Sequence, residues 1–135
     1  MFFKDDNTSR RILVADDDPV IRRLLTSIVG KEGYIPVGVE DGREAYRILQ
    51  SDADFSGAIF DMMMPNLDGL EVIRYMRTEK RLMRIPVLLI TSEQDLKFTA
   101  ASFAAGATLF LPKPFTAAQF LTTLKILVGY QKVAA

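Results

Sequence analysis

A chain of 135 residues, 49% hydrophobic and 25% charged, is long enough for one self-sufficient core and too apolar for intrinsic disorder. Its 17 basic and 17 acidic side chains cancel, which leaves no electrostatic footprint for direct binding of nucleic acid or an anionic membrane. With neither Cys nor His there is no disulfide, thiol nucleophile, thiolate metal site or imidazole base, so chemistry falls to carboxylates, hydroxyls, Lys and a hard metal ion.

Met1 to Arg11 is short and polar after its two Phe residues, and no apolar stretch has the form of a signal peptide or membrane span, which fits a cytoplasmic protein. Arg11 to Ala15 is an apolar run that predicts a strand, followed at once by Asp16-Asp17-Asp18-Pro19. Asp18 suits an N-cap and Pro19 the first helical position. Val20, Ile21, Leu24, Leu25, Ile28 and Val29 recur at helical spacing, and Gly30 or Gly33 can end that helix. Tyr34 to Val39 reads as a second strand, with Pro36 marking an edge because it has no N–H for a ladder. Asp41-Gly42-Arg43-Glu44 resembles a capping box ahead of the apolar positions Ala45, Ile48 and Leu49, and Ser51 to Ser56 reads as loop.

Gly57-Ala58-Ile59-Phe60 is an uncharged apolar run, as in a parallel strand buried on both faces, and it delivers Asp61 at its carboxyl end. Asn66 to Gly69 forms a turn and cap for a third helix carrying Leu70, Val72, Ile73 and Met76. Thr78 to Arg84 reads as its basic, solvated tail and the loop that follows. Ile85 to Ile90 is a fourth strand delivering Thr91 and Ser92, and Asp95 to Ala105 a fourth helix closed by Gly106. Thr108 to Leu111 is a fifth strand ending in Pro112-Lys113-Pro114. Thr116 to Gln119 is a further capping box, and Phe120, Leu121, Leu124, Leu127 and Val128 complete a fifth helix before a tail from Gly129. Five strands alternating with five helices imply right-handed crossovers and a doubly wound parallel α/β sheet.

Four of the five strand ends thus carry a distinct polar group: Asp16 with Asp17, Asp61, Thr91 and Lys113. In such sheets the ligand crevice lies outside the carboxyl ends of the strands. Singly, each residue is also what a cap, a turn or a surface lysine would supply. Together they place three carboxylates close enough to repel by on the order of 1–4 kcal/mol per pair, which calls for a compensating cation. Mg2+ suits a site of few carboxylates, several waters and a phosphate oxygen, and Lys113 adds a mobile point charge for the same anion. A carboxylate beside such an ion can act as nucleophile toward a phosphoryl group and form an acyl phosphate, whose arrival Thr91 or Ser92 would report by a hydrogen bond.

These residues resemble the receiver domain of two-component response regulators. The likeness spans Arg11 to Val128 and rests on Asp16-Asp17, Asp61-Met62-Met63-Met64-Pro65, Asp68-Gly69, Thr91-Ser92, and Gly106-Ala107 leading to Lys113-Pro114-Phe115, all in the family's order. The resemblance implies a flavodoxin-like (βα)5 fold of strand order 2-1-3-4-5, with residues 1–10 as an N-terminal extension, 11–129 as receiver domain and 130–135 as a tail. It implies Asp61 as phosphoacceptor and Mg2+ bound by Asp16 (mainly through water), Asp17, Asp61 and the backbone carbonyl of Met63. It further implies Thr91 as switch hydroxyl, Lys113 as phosphate-binding lysine, Phe110 as an aromatic that turns inward on activation, and a cis Lys113–Pro114 bond. The expected role is a phosphorylation-dependent switch that catalyses only its own phosphorylation and dephosphorylation and is otherwise no enzyme. Its implied partners are a histidine kinase or histidine phosphotransfer protein and a downstream protein docking on the fourth helix, fifth strand and fifth helix, with the chain a monomer or weak dimer. No output domain is read after Val128, and a piece of a hybrid kinase or longer regulator is the alternative.

Two positions are particular to this chain. Met63 cannot orient an attacking water, whereas Glu93 could, and slow self-dephosphorylation is expected. Rival classes fit less well. An aspartate-nucleophile phosphatase would place a second acid where Met63 stands. A degenerate interaction domain would lack one of the site residues, and a flavin-binding domain would not set three aspartates against a phosphate.

Overall fold

The computed structural model describes residues 9–92 and 96–134. Elements alternate along the chain as β1 (Arg11–Ala15), α1 (Pro19–Lys31), β2 (Ile35–Val39), α2 (Gly42–Ser51), β3 (Gly57–Asp61), α3 (Gly69–Thr78), β4 (Val87–Thr91), α4 (Leu96–Ala105), β5 (Leu109–Pro112) and α5 (Ala117–Ala134). The strands form one parallel sheet in the order β2-β1-β3-β4-β5, as expected. No helix among the described residues is long and apolar enough to cross a membrane.

Side-chain alternation along the strands divides the core in two. Leu13, Ala15, Ala58, Phe60, Val87 and Leu89 face the layer that buries Ala45 and Leu49 of α2 and Ile73 and Met76 of α3. Ile12, Val14, Ile59, Leu88, Ile90 and Leu111 face Leu25 and Val29 of α1 and Phe120, Leu124 and Leu127 of α5. The central strands β3 and β4 are buried throughout, whereas Pro36 stands in edge strand β2, opposite Ile12.

The caps hold where the residue types place them. Asp18 Oδ1 accepts from the N–H groups of Val20 (2.8 Å) and Ile21 (3.3 Å). Asp41 accepts from Glu44 N–H at 2.9 Å, and Glu44 reaches back to Glu40 N–H at 2.9 Å. Thr116 and Gln119 bond reciprocally ahead of α5. Gly33, at φ 89°, supplies the left-handed residue after α1, while Gly30 lies inside the helix.

Several boundaries depart from the sequence reading. Strand β4 begins at Val87 because Ile85 N–H turns back to the Leu82 carbonyl (3.1 Å) and Pro86 offers only its carbonyl, which accepts from Ala58 N–H (3.0 Å). Helix α5 continues past Gly129 to Ala134: a lone glycine weakens a helix without stopping it. The stretch from Thr78 to Arg84 is a solvated surface only in part: Thr78, Lys80, Arg81 and Met83 are exposed, but the rest is tied to the core. Leu82 is fully buried, Arg84 donates to the carbonyls of Ala53 and Phe55, and Arg77 donates to those of Gly106, Met83 and Ile85. Burial of Arg77 holds its guanidinium below the usual range, and these carbonyls supply the solvation that water would give. Residues 1–8 of the expected N-terminal extension, Glu93, and the expected helix start at Asp95 lie outside the described residues.

Candidate functional site

The carboxyl ends of β1, β3, β4 and β5 meet at one edge of the sheet, and each brings one of the polar side chains singled out above. Asp16 follows β1 and is fully buried. Its N–H extends the ladder to the Val39 carbonyl, its Oδ1 accepts from Asp18 N–H at 2.9 Å, and its Oδ2 is buried with no hydrogen-bond partner. Asp17 is exposed beside it. Asp61 closes β3 almost fully buried, with Oδ2 3.2 Å from Lys113 Nζ and Oδ1 accepting from Met63 N–H at 3.4 Å. One carboxylate oxygen from each of Asp16, Asp17 and Asp61 lies within 4.8 Å of the other two.

Thr91 ends β4 buried, one strand from Asp61 and opposite Pro112 in register. Its carbonyl accepts from Lys113 N–H at 2.7 Å, which sets the start of the β5–α5 loop, and the Lys113–Pro114 bond is cis. The Met63 side chain is 68% exposed, so what this residue offers the site is backbone. Phe110 of β5 is half-buried, packed against the α2–α3 side of the core and stacked on Phe103 of α4 with ring centroids 4.8 Å apart.

Electrostatically the cluster is short of positive charge. Burial, opposed by the Asp18 N–H and reinforced by the charge of Asp61, pushes Asp16 up to about 6. Asp61 is also raised by burial, with the nearby Lys113 pulling it back. Two carboxylates at this separation repel by about 3 kcal/mol at an effective dielectric near 20, and one ammonium cannot offset all three. The orphaned Asp16 Oδ2, the exposed Asp17 and an all-oxygen donor set fit a hard divalent cation such as Mg2+.

The loop between β3 and α3 is held by close packing. A Cβ on Gly69 would stand 2.8 Å from the Asp61 carbonyl oxygen, and one on Gly42 would collide with the Leu67 carbonyl. Asn66 adopts φ 72° and donates to Asp41 Oδ2 at 3.0 Å. Asp68 and Glu71 complete a capping box at the head of α3.

Some contributors escaped the sequence reading. Arg22, one turn into α1, donates Nη1 to the Asp16 carbonyl at 2.7 Å and so fixes the peptide between the two adjacent aspartates. Its stem runs beside Gly38 of β2, where a Cβ would stand 3.7 Å from Arg22 Cγ and Cδ. Phe103, in a helix with no clear apolar stripe, gave no sign of pairing with Phe110. The charged residue one turn into α1 was the available signal for Arg22, but its carbonyl partner is set by the fold.

A sequence model of the response regulator receiver domain matches residues 12–125. The response regulator MprA of Mycolicibacterium vanbaalenii is 37% identical over 118 residues, covering 87% of this chain and 50% of that protein. The chain spans about half the length of the curated relatives it matches. Among solved structures, the chemotaxis response regulator CheY4 of Vibrio cholerae superposes with a TM-score of 0.82 at 31% identity, covering 89% of this chain and 99% of that one. The receiver domain of the sensor histidine kinase PA1611 from Pseudomonas aeruginosa PAO1, whose structure has a magnesium ion coordinated in the active-site cleft, gives 0.79 at 25% identity over 90% of this chain and 99% of that one. With the fold, the acidic edge and these likenesses in agreement, the chain belongs to the response regulator receiver domain family.

Proposed function

We propose that Asp61 accepts a phosphoryl group from a phosphohistidine of a histidine kinase or histidine phosphotransfer protein, and that the chain then signals to a downstream protein. The observation that carries this reading is the buried Asp61 carboxylate held 3.2 Å from Lys113 beside the unpartnered Oδ2 of Asp16. One oxygen of Asp61 attacks phosphorus, a P–O bond forms as the P–N bond to the donor imidazole breaks, and the imidazole leaves to take up a proton. Asp16, Asp17 and Asp61, with the Met63 carbonyl, would hold Mg2+, which supplies positive charge against the transferring phosphoryl oxygens. Lys113 exchanges its contact with Asp61 for one to a phosphoryl oxygen, and the Thr91 hydroxyl turns toward another. That movement opens space behind β4 into which Phe110 turns, breaking its stack on Phe103 and shifting the surface of α4, β5 and α5. Met63 presents no group to orient water, so the aspartyl phosphate decays slowly.

The test is intact mass after incubation with acetyl phosphate and Mg2+, beside Asp61→Asn. A single phosphoryl adduct, absent in the variant and absent when EDTA is present during the reaction, is expected. No adduct, either with acetyl phosphate or with a competent phosphohistidine donor, would overturn the reading in favour of a phosphate-independent binding domain.

A further inference from the structure

Arg22 reaches the Asp16 carbonyl with Nη1, and no described residue accepts from its Nε or Nη2. The next residue, Arg23, is exposed, and its guanidinium has neither a hydrogen bond nor an ion pair among the described residues. Both line a groove of about 420 Å³ between α1 and edge strand β2, walled also by Pro19, Thr26, Pro36 and Gly38, with no carboxylate among these residues. The open edge of β2 is nearly stripped of donors. Ile35 N–H and the Val39 carbonyl bond to Arg10 and Asp16 at the two ends of β1, so by the alternation of a parallel ladder Pro36, Gly38 and Glu40 turn their backbone groups outward. Pro36 has no N–H, and that of Glu40 is taken by the Glu44 carboxylate at 2.9 Å. Of the three, only Gly38 keeps a free amide, and it stands at the groove. Packing does not explain this glycine. A Cβ there would stand 3.4 Å from Thr26 Cγ2 and 3.7 Å from Arg22 Cγ and Cδ, ordinary contacts for an alanine, and the backbone is not left-handed. Glycine within a strand gives up packing and chain entropy, and it often marks the close approach of a ligand.

We infer that this groove binds the phosphoryl group of a phosphomonoester, held by the guanidinium groups of Arg22 and Arg23 and by Gly38 N–H, and that the bound anion tightens Mg2+ binding at the acidic edge. Two guanidinium groups match the dianion that a monoester carries at neutral pH, and their planar forks suit its oxygens. A strand of another chain fits this edge poorly, because Pro36 leaves a gap in its ladder. The groove shares no residue with Asp61, Thr91 and Lys113, which handle the transferred phosphoryl group in the reading above. Arg22 joins the two places: a phosphoryl group on its Nε and Nη2 fixes the side chain whose Nη1 holds the Asp16–Asp17 peptide. Added negative charge acts in the same direction on a cation at that edge. The coupling rests on the Mg2+ reading above, whereas the groove itself does not.

The test titrates the metal-free full chain with glycerol 3-phosphate and, separately, with dimethyl phosphate at constant ionic strength, read by the NMR signals of Gly38 N–H and of the Arg22 and Arg23 Nε–H groups. The monoester is expected to shift all three and to bind at least about tenfold more tightly than the diester. Arg23→Met, which leaves the Asp16 tether in place, is expected to weaken binding by at least about tenfold and Gly38→Ala by several-fold, while Lys113→Ala binds as the wild type does. A silent Gly38 signal, equal response to the two phosphates, or binding lost in Lys113→Ala and kept in Arg23→Met would overturn the inference, the last by placing the anion at the acidic edge. Phosphatidic acid vesicles carry the same headgroup. Capture that depends on Arg23 would put the monoester on a lipid; its absence, expected with Asp17, Asp18 and Glu40 exposed in the flanking chain, puts it in solution. Calorimetric titration with Mg2+ is expected to show several-fold tighter binding in saturating glycerol 3-phosphate, a gain absent in Arg23→Met and matched by equal tightening of the phosphate. Unchanged Mg2+ affinity beside intact phosphate binding would strike the coupling alone, and no Mg2+ binding at all would count against the metal reading and not against the groove.

Discussion

Strands β3 and β5 both end in the site, yet they are built differently. Every residue of β3 is buried between two strands and two helix layers, whereas in edge strand β5 only Leu111 is, and Phe110 leans on the half-exposed ring of Phe103. The first arrangement can hold Asp61 and its neighbours in one geometry despite their mutual repulsion. The second has few contacts to lose, so a second packing lies within reach of the free energy of a single new hydrogen bond or ion pair. On the proposed function, chemistry is placed where the sheet is over-determined, and readout where it is not.

Core truncations test that contrast most strongly. Ile59→Ala in β3 should destabilise the fold by about 3–4 kcal/mol, against about 2 kcal/mol or less for Phe110→Ala, whose ring is only partly buried. Urea denaturation compares them, and equal losses would erase the distinction.

Next in size is the charge strain at the acidic edge. Asp16 titrates near 6 in the fold against an ordinary 3.8, so without metal its contribution is unfavourable, grows as pH rises through that interval and is full above about 6. In EDTA the protein should lose up to about 3 kcal/mol between pH 4 and 7 through this group, and Asp16→Asn should abolish most of the slope while raising stability at pH 7. Denaturation at several pH values reads it, and saturating Mg2+ should flatten the wild-type slope. A pH-independent wild type would mean that Asp16 is not strained.

Smaller again is the effect of Arg22. Arg22→Met should weaken Mg2+ affinity by about tenfold in calorimetric titration, because the Asp16–Asp17 peptide loses its tether, while Arg23→Met should leave it unchanged. The smallest effect concerns the exposed Met63. Met63→Asn should speed loss of the aspartyl phosphate several-fold by offering a group that can order water, and an unchanged decay would mean that this position does not set the lifetime.

Most of the fold was legible because its strands are short apolar runs ended by polar residues or Pro, and α1, α2, α3 and α5 carry their own caps. Asp16, Asp61, Thr91 and Lys113 stood out together, because four strand ends on one edge of the sheet each carry a polar residue, which is more than caps and turns require. What stayed hidden depends on distant chain. Arg22 and Arg77 bond to backbone carbonyls, which every residue has, so no residue type announces the partner. Gly42 matters because the Leu67 carbonyl crosses it, and Phe103 because β5 brings Phe110 beneath α4. The exposed reading of Thr78 to Arg84 held for Thr78, Lys80, Arg81 and Met83 and failed at Arg84, because a cation can be spent on carbonyls as well as on water.

The most direct test of a fixed acceptor and a movable readout is amide hydrogen exchange of the chain with and without acetyl phosphate and Mg2+, with occupancy checked by intact mass and Asp61→Asn as control. The account predicts altered protection at Leu109 to Leu111 and in α4, with Ile12 to Val14 and Ala58 to Phe60 unchanged and the variant silent. Full phosphoryl occupancy with protection altered equally in β3 and β5, or in neither, would contradict it.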